Sequence, residues 1–361
     1  MSEPRASGYF RTRYSQDFAL LDTRAQKAGF AVFAVLLAGL PFLAGPFVLD
    51  LANQVLLGSI GAVALMMLTG YAGQISLGHA GLLAAGALTT GILFREFSAP
   101  FWIALPASAA AGAFLGLVFG LPSLRLRGLY LAVSTLALHF IVIHAGNEYE
   151  TWRGFSTGIL IEPPSLPQWA GGAALEDPRA WYFVLLIAAA ANVLFALNLL
   201  RSKTGRAWRA IHGREAVAEA LGISVHLAKL SAFVVSSAIT AVAGCLFAYY
   251  RGFVSVEAFS LFLTIQYVAM VIIGGMGSVL GALLGTVFVV IFPYGIEAAM
   301  NALGLTERLS SVVFALNYAA FGLVMILFLV FEPQGLVGLW RRLQNWFLLW
   351  PFKQKPLQGT K

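Results

Sequence analysis

The chain has 361 residues, of which 59% are hydrophobic and only 11% charged, with a mean hydropathy of +0.82; soluble domains carry roughly 25% charged residues, so this is an integral membrane protein. Its one cysteine, Cys245, lies in an apolar run, which excludes a disulfide framework and a cysteine metal site. The net charge of +7 would suit a nucleic-acid binder, but the placement of the basic residues decides otherwise.

In chain order, residues 1–27 read as a polar tail and Ala28 to Leu49 as a first apolar helix. That run is longer than the hydrophobic region of a signal peptide and is followed by further spans, so it reads as uncleaved. Spans two and three, Leu51 to Leu68 and Leu77 to Phe94, flank the glycine-rich GYAGQISLGHAG. Spans four and five, Phe101 to Leu121 and Leu129 to Ala145, are joined by a tight turn with Arg125 and Arg127. Gly146 to Ala180 is the longest stretch that is not apolar inside the bundle, with Glu148, Glu150, Glu162, Glu176 and Asp177 against Arg153 and Arg179.

Span six runs from Trp181 to Leu200, span seven from Leu230 to Tyr250, span eight from Leu261 to Ile273, span nine from Val279 to Ala299 and span ten from Ser311 to Phe331. The tail, residues 333–361, contains LWRRLQNWFLLW, a pattern for an amphipathic helix lying in the interface and anchored by tryptophan. With ten spans, eighteen of the 23 Lys and Arg fall on the side that holds both termini. That asymmetry places this side in the cytoplasm and accounts for the basic excess as topology, with no nucleic-acid partner.

Two stretches have the composition of broken helices. Between Leu68 and Gly86 the chain places Gly70, Gly73, Gly78, Gly81 and Gly86 around Tyr71, Gln74, Ser76 and His79. Between Val271 and Gly285 it places Gly274, Gly275, Gly277, Gly281 and Gly285. Glycine at this density serves either close helix packing or a break in the helix, and irregular backbone at membrane depth survives only when buried in protein or facing a watery cavity. Gln74 and His79 therefore read as lining a path, and the two segments, one in each half, as a distant repeat meeting at that path.

His139, His144, Asn192, Asn198 and Gln266 are the other polar groups within spans, and no span has a central Asp, Glu, Lys or Arg. That argues against an ion-coupled carrier, and the absence of paired carboxylates or HExxH argues against a membrane hydrolase. GGMG is not a phosphate loop, because no GxxxxGK[ST] occurs in the chain.

The polar stretch from Arg201 to Lys229 contrasts most with its surroundings: six Lys and Arg, including Arg206, Arg209 and Arg214, against Glu215 and Glu219. Its REAVAEAL run predicts a helix of two or three turns with Ala216, Val217, Ala220 and Leu221 on one stripe, ended by Gly222. A short amphipathic helix held between two spans fits a groove on a soluble partner; the plainer alternative is a solvated loop that only fixes topology.

The Glu-Ala-x-Gly core at Glu219, Ala220, Leu221 and Gly222, preceded by GRAWRAI and followed by a span, resembles the cytoplasmic coupling loop of ABC importer permeases. The longer GRAWRAIHGREAVAEALGI resembles the form found in permeases for branched-chain amino acids, and LTGYAGQISLGHAG, LPSLRLRGLYLAVSTLAL, VIIGGMGSVLGALLG and FEPQGLVG match that family in order. The resemblance implies an all-α polytopic permease of the bacterial inner membrane: a domain over 28–332 with about ten spans, broken glycine-rich segments and a coupling loop at 201–229. It implies a transport subunit with no cofactor of its own, ATP being bound and hydrolysed by two separate ATP-binding cassette subunits. A second homologous permease and an external solute-binding protein are the other implied partners. Arg206, Arg209, Glu215, Ala216, Glu219, Ala220 and Gly222 are the residues expected to meet the ATPase. A branched-chain or related hydrophobic amino acid is the implied substrate, with urea, short amides or aromatic acids as the family's alternatives; an ion-coupled carrier and an inert membrane subunit are the readings outside it.

Overall fold

A computed structural model describes residues 24–124, 128–155, 158–164, 175, 177–302 and 313–349. The polar tail up to residue 23, the basic turn at Arg125 and Arg127, Arg308, most of the acidic stretch between 165 and 176 and the chain from residue 350 lie outside the described residues.

Among the described residues thirteen α-helices follow one another: α1 Arg24–Leu43, α2 Pro46–Met66, α3 His79–Phe97, α4 Phe101–Ser123, α5 Leu129–Arg153, α6 Pro178–Arg201, α7 Lys203–Gly213, α8 Glu215–Ala220, α9 Val225–Arg251, α10 Leu261–Gly274, α11 Val279–Ala302, α12 Val313–Phe331 and α13 Gly335–Leu349. Two strands of two residues, β1 Ile159–Leu160 and β2 Phe253–Val254, pair antiparallel beside the end of α9. Eight of the described helical segments are long and apolar enough to cross a membrane. The pair α12 and α13, bent by 53°, makes a ninth when counted as one span, and Lys27–Leu43 is a shorter apolar helix, so the described residues carry eight or nine candidate spans against the ten expected.

The local reasons are ordinary. Pro178 opens α6 behind Asp177, whose carboxylate accepts from the Arg179 amide at 2.9 Å, the arrangement that satisfies an orphan donor at a helix start. The acidic Gly146–Arg153 run continues α5 rather than forming a loop, so Glu148 and Glu150 stand on its last turns.

The core lies where α2, α3, α4 and α9 pack together, and the residues there are small. A Cβ on Gly86 would run into the backbone of Ala241, and one on Gly244 into that of Leu83, so α3 and α9 touch main chain to main chain. Ser236 Oγ on α9 donates to the Ala64 carbonyl of α2 at 2.8 Å. Because α9 runs from the basic stretch to Arg251, it marks two ends of the bundle, a basic end and an opposite end.

Candidate functional site

The first break follows α2. Its last turn widens into a π turn, Met67–Tyr71, and the chain then runs irregularly to α3. The donors released by this break are met by side chains: Leu77 N by Thr135 Oγ1 at 2.9 Å, Gly78 N by Ser76 Oγ at 3.3 Å, and Ala80 N by Thr264 Oγ1 at 3.0 Å. Unmet, each would cost several kcal/mol in a hydrocarbon surround, on the order of a lost hydrogen bond or more. His79 begins α3 deep in the protein, with its ring 4.7 Å from that of Tyr267 and its Nδ1 3.5 Å from Thr240 Oγ1. Gly61 lies alongside, where a Cβ would come within 2.7 Å of Tyr267.

The second break follows α10. Gly275 (φ +116) and Gly277 (φ +78) take backbone angles that side chains rarely adopt, and α11 starts at once at Val279. A Cβ on Gly70 would collide with the Gly277 backbone, so the two breaks, one from each half of the chain, touch. Gly275 in turn packs under Gln334 and Gly335, which fixes α13 to the basic end, and Glu332 pairs with Arg342 at 2.9 Å across the α12–α13 bend. The segment read as a tail is thus a helix joined to the bundle.

The basic stretch forms two helices rather than one. α7 is the long amphipathic one, and Trp208 on it is fully buried with its Nε1 donating to Ser231 at 3.0 Å. Arg214 is extended (φ −155, ψ 109) and separates α7 from α8, which is only six residues long, shorter than the two or three turns expected. Arg206 Nη1 donates to the Arg201 carbonyl at 2.9 Å and Arg209 Nη2 to the Leu200 carbonyl at 2.8 Å; both cap the end of α6, where free carbonyls and the helix dipole favour cations. Arg209 also lies 5.2 Å over the Tyr71 ring.

On α8, Ala218 is buried and Glu215 turns inward, 2.6 Å from the buried ammonium of Lys229. Ala216, Val217, Glu219, Ala220, Leu221 and Gly222 are exposed, with Val217 at 50% and Leu221 at 74%. The first break reaches this helix through its neighbours: Gln74 Nε2 donates at 3.0 Å to the carbonyl of Lys229 on α9, the partner of Glu215, and a Cβ on Gly73 (φ +69) would lie 2.8 Å from Nδ1 of His212 on α7.

Toward the opposite end a cavity of about 410 Å³ opens between α2, α9, α10, α11 and α12. Its wall is largely apolar and includes the aromatics Phe247, Phe259, Phe262 and Tyr267, and its polar lining is Gln54, Gln266, Arg251 and Glu297 among hydroxyls of tyrosine. The volume falls in the range of small-molecule sites, roughly 300–1,000 Å³.

Of the expected path residues, Gly70, Tyr71, Gln74, Ser76, Gly78, His79, Gly274, Gly275 and Gly277 form the two breaks and their contacts, and none lines this cavity; His79 stands behind its Tyr267 wall. Among the other polar groups within spans, Gln266 lines it, Asn192 donates to the Ile60 carbonyl at 3.2 Å, and His139 is buried against Phe140. Gln54, Phe262, Arg251 and Glu297 were not singled out from the sequence. Among the described residues no group of three or more His, Cys, Asp or Glu is placed to hold a metal ion.

Comparison with known proteins agrees with this architecture. Residues 47–329 match the family model described as branched-chain amino acid transport system / permease component. The chain is 31% identical over 339 residues to the high-affinity branched-chain amino acid transport system permease protein LivM of Escherichia coli, covering 88% of this chain and 76% of that protein. It is 27% identical over 242 residues to a probable branched-chain amino acid transport permease protein LivM of Methanocaldococcus jannaschii, covering 65% and 67%. It is 28% identical over 248 residues to the autoinducer 2 import system permease protein LsrC of an Enterobacter strain, covering 66% and 67%. No solved structure matches.

Proposed function

The chain belongs to the family of branched-chain amino acid transport system permease components, and from that premise we propose that it is one of two membrane-spanning subunits of an ATP-driven importer for branched-chain or related hydrophobic amino acids. It is a multi-pass transport subunit of the inner membrane. In this reading the basic end faces the cytoplasm, following the distribution of Lys and Arg. Two ATP-binding cassette subunits sit against that end, a second homologous permease stands beside the chain, and a solute-binding protein delivers substrate to the opposite end.

The observation that carries the reading is the exposed apolar stripe of α8, with Val217 half exposed and Leu221 at 74%, on a helix whose other side is pinned by the Glu215–Lys229 pair. A surface helix in water without a partner keeps such a stripe turned inward. Here it faces out from a rigid mount, the geometry of a helix that enters a groove on another protein. Closure of the ATPases would press on α8, and the Lys229–Gln74 bond and the Gly73–His212 contact would pass that displacement to the first break.

The test is reconstitution of the chain in lipid vesicles with the ATPase subunits, second permease and binding protein encoded beside it. ATP hydrolysis that rises when leucine-loaded binding protein is added supports the reading. Hydrolysis that ignores leucine but responds to urea, a short amide or an aromatic acid keeps the importer and replaces its substrate; failure to bind any ATPase subunit rejects the importer.

A further inference from the structure

The cavity at the opposite end combines an aromatic wall with a charged rim, and its polar groups are held in place. Arg251 is exposed at the end of α9, with its guanidinium 5.8 Å over the Tyr250 ring and 6.0 Å over the Phe247 ring, so two lining aromatics fix a cation beside the cavity. Tyr250 donates to Asp50, and Gln54 Nε2 donates to the same carboxylate at 2.7 Å, which orders that side of the rim. Glu297 on α11 is exposed and has no ion pair among the described residues; nor has Arg251.

Between rim and floor, α11 is interrupted chemically. Pro293 lines the cavity and carries no N–H, so the carbonyl of Val289, which also lines it, loses its normal donor one turn on. A backbone acceptor released at membrane depth is tolerated where it borders a cavity. Gln266 stands on the facing α10. The site thus offers an anion-binding group, cation acceptors and an apolar pocket, in a space that holds a single small molecule.

We propose that this cavity, inside the one subunit, is a binding chamber for the transported solute, and that it takes an α-amino acid with an apolar side chain. Arg251 meets the carboxylate, Glu297 meets the ammonium, and Phe262 with its aromatic neighbours takes the side chain, while Gln266 and the Val289 carbonyl are the polar groups deeper in the chamber. This assignment rests on the importer reading above and adds the place and the groups. A singly charged solute would leave one of the two rim charges unmatched and an uncharged solute both, which selects against either.

The test is protection of an introduced thiol in the full reconstituted importer. The native Cys245 is fully buried and does not line the cavity, so Leu263→Cys, at a half-buried lining position outside the groups assigned to the solute, supplies the accessible sulfur. We expect L-leucine, added with the binding protein, to slow its modification by a small methanethiosulfonate reagent at least fivefold. Lysine should not protect. Arg251→Gln in the same background should raise the leucine concentration needed about tenfold, and Arg251→Lys should raise it less. Leucine uptake that proceeds while the thiol stays unprotected overturns the chamber and leaves the importer standing. No leucine-dependent hydrolysis or uptake in the wild-type assembly overturns the importer reading, and this assignment with it.

Discussion

Gln74 and Lys229 are joined by a buried hydrogen bond, Nε2 of the first to the carbonyl of the second at 3.0 Å, and the Lys229 ammonium is in turn 2.6 Å from the Glu215 carboxylate. One residue at the start of α9 therefore ties the irregular segment after α2 to the helix that presents Val217 and Leu221 outward. A continuous physical connection with more than one arrangement available to it can carry coupling between two sites.

The Glu215–Lys229 pair should respond unequally to removal of its two halves. The Lys229 side chain is 10% exposed and that of Glu215 31%, so deleting the carboxylate strands the more buried charge. Breaking a buried pair by removing one partner costs about 3–5 kcal/mol when the remaining charge is fully desolvated. Glu215→Ala should approach that range, whereas Lys229→Met, which keeps the methylene packing and leaves a carboxylate within reach of water, should cost about 1 kcal/mol. Limited proteolysis around residues 212–222, compared between the two variants, reads the difference; equal cleavage would contradict it.

Gly70→Ala should be destabilising, because its Cβ meets the Gly277 backbone, which cannot turn aside as a side chain can. Overpacking of this kind costs about 1–3 kcal/mol. Gly213→Ala is the control, since nothing lies within 4 Å of a Cβ placed there. Thermal stability in detergent should fall for the first and stay unchanged or rise slightly for the second.

Leu221→Asp and Val217→Asp should leave the fold intact, because both side chains already face outward. Each places a charge in an apolar contact, and an anchor at the centre of an interface contributes roughly 2 kcal/mol or more. Association with the ATPase subunits should therefore weaken at least thirtyfold in a pull-down titration. Glu219→Lys, also exposed, should weaken it as well; unchanged association and uptake in all three would remove the docking role from α8.

The fold was largely legible in the sequence, because long apolar runs broken by Gly and charge leave little choice of element. The apolar stripe of α8 was legible too, since Ala216, Val217, Ala220 and Leu221 recur at helical spacing. What spacing could not show is pairing across the fold. Glu215 and Lys229 stand fourteen positions apart on either side of the Gly222 turn, and Gln74 reaches Lys229 from a different half of the bundle. The cavity was hidden for a related reason: its wall is built from Phe and Tyr on several helices, residues that read as ordinary apolar span positions until the helices are packed. Arg251 and Glu297, at helix ends, read only as span boundaries. Arg206 and Arg209, expected to meet the ATPase, also bond the carbonyls that end α6, a contact that only the corner between α6 and α7 reveals.

The most direct measurement is leucine-stimulated ATP hydrolysis by the reconstituted importer carrying Gln74→Leu, taken together with its ATPase association. Leucine keeps the approximate volume of Gln74 and removes its hydrogen bond, a net loss of about 1 kcal/mol and so roughly a fivefold shift in any equilibrium the bond biases. The account predicts that association survives, since Gln74 is buried away from α8's outer stripe, while stimulation by leucine falls about fivefold or more. Full stimulation in this variant would show that the Gln74–Lys229 contact does not carry the signal.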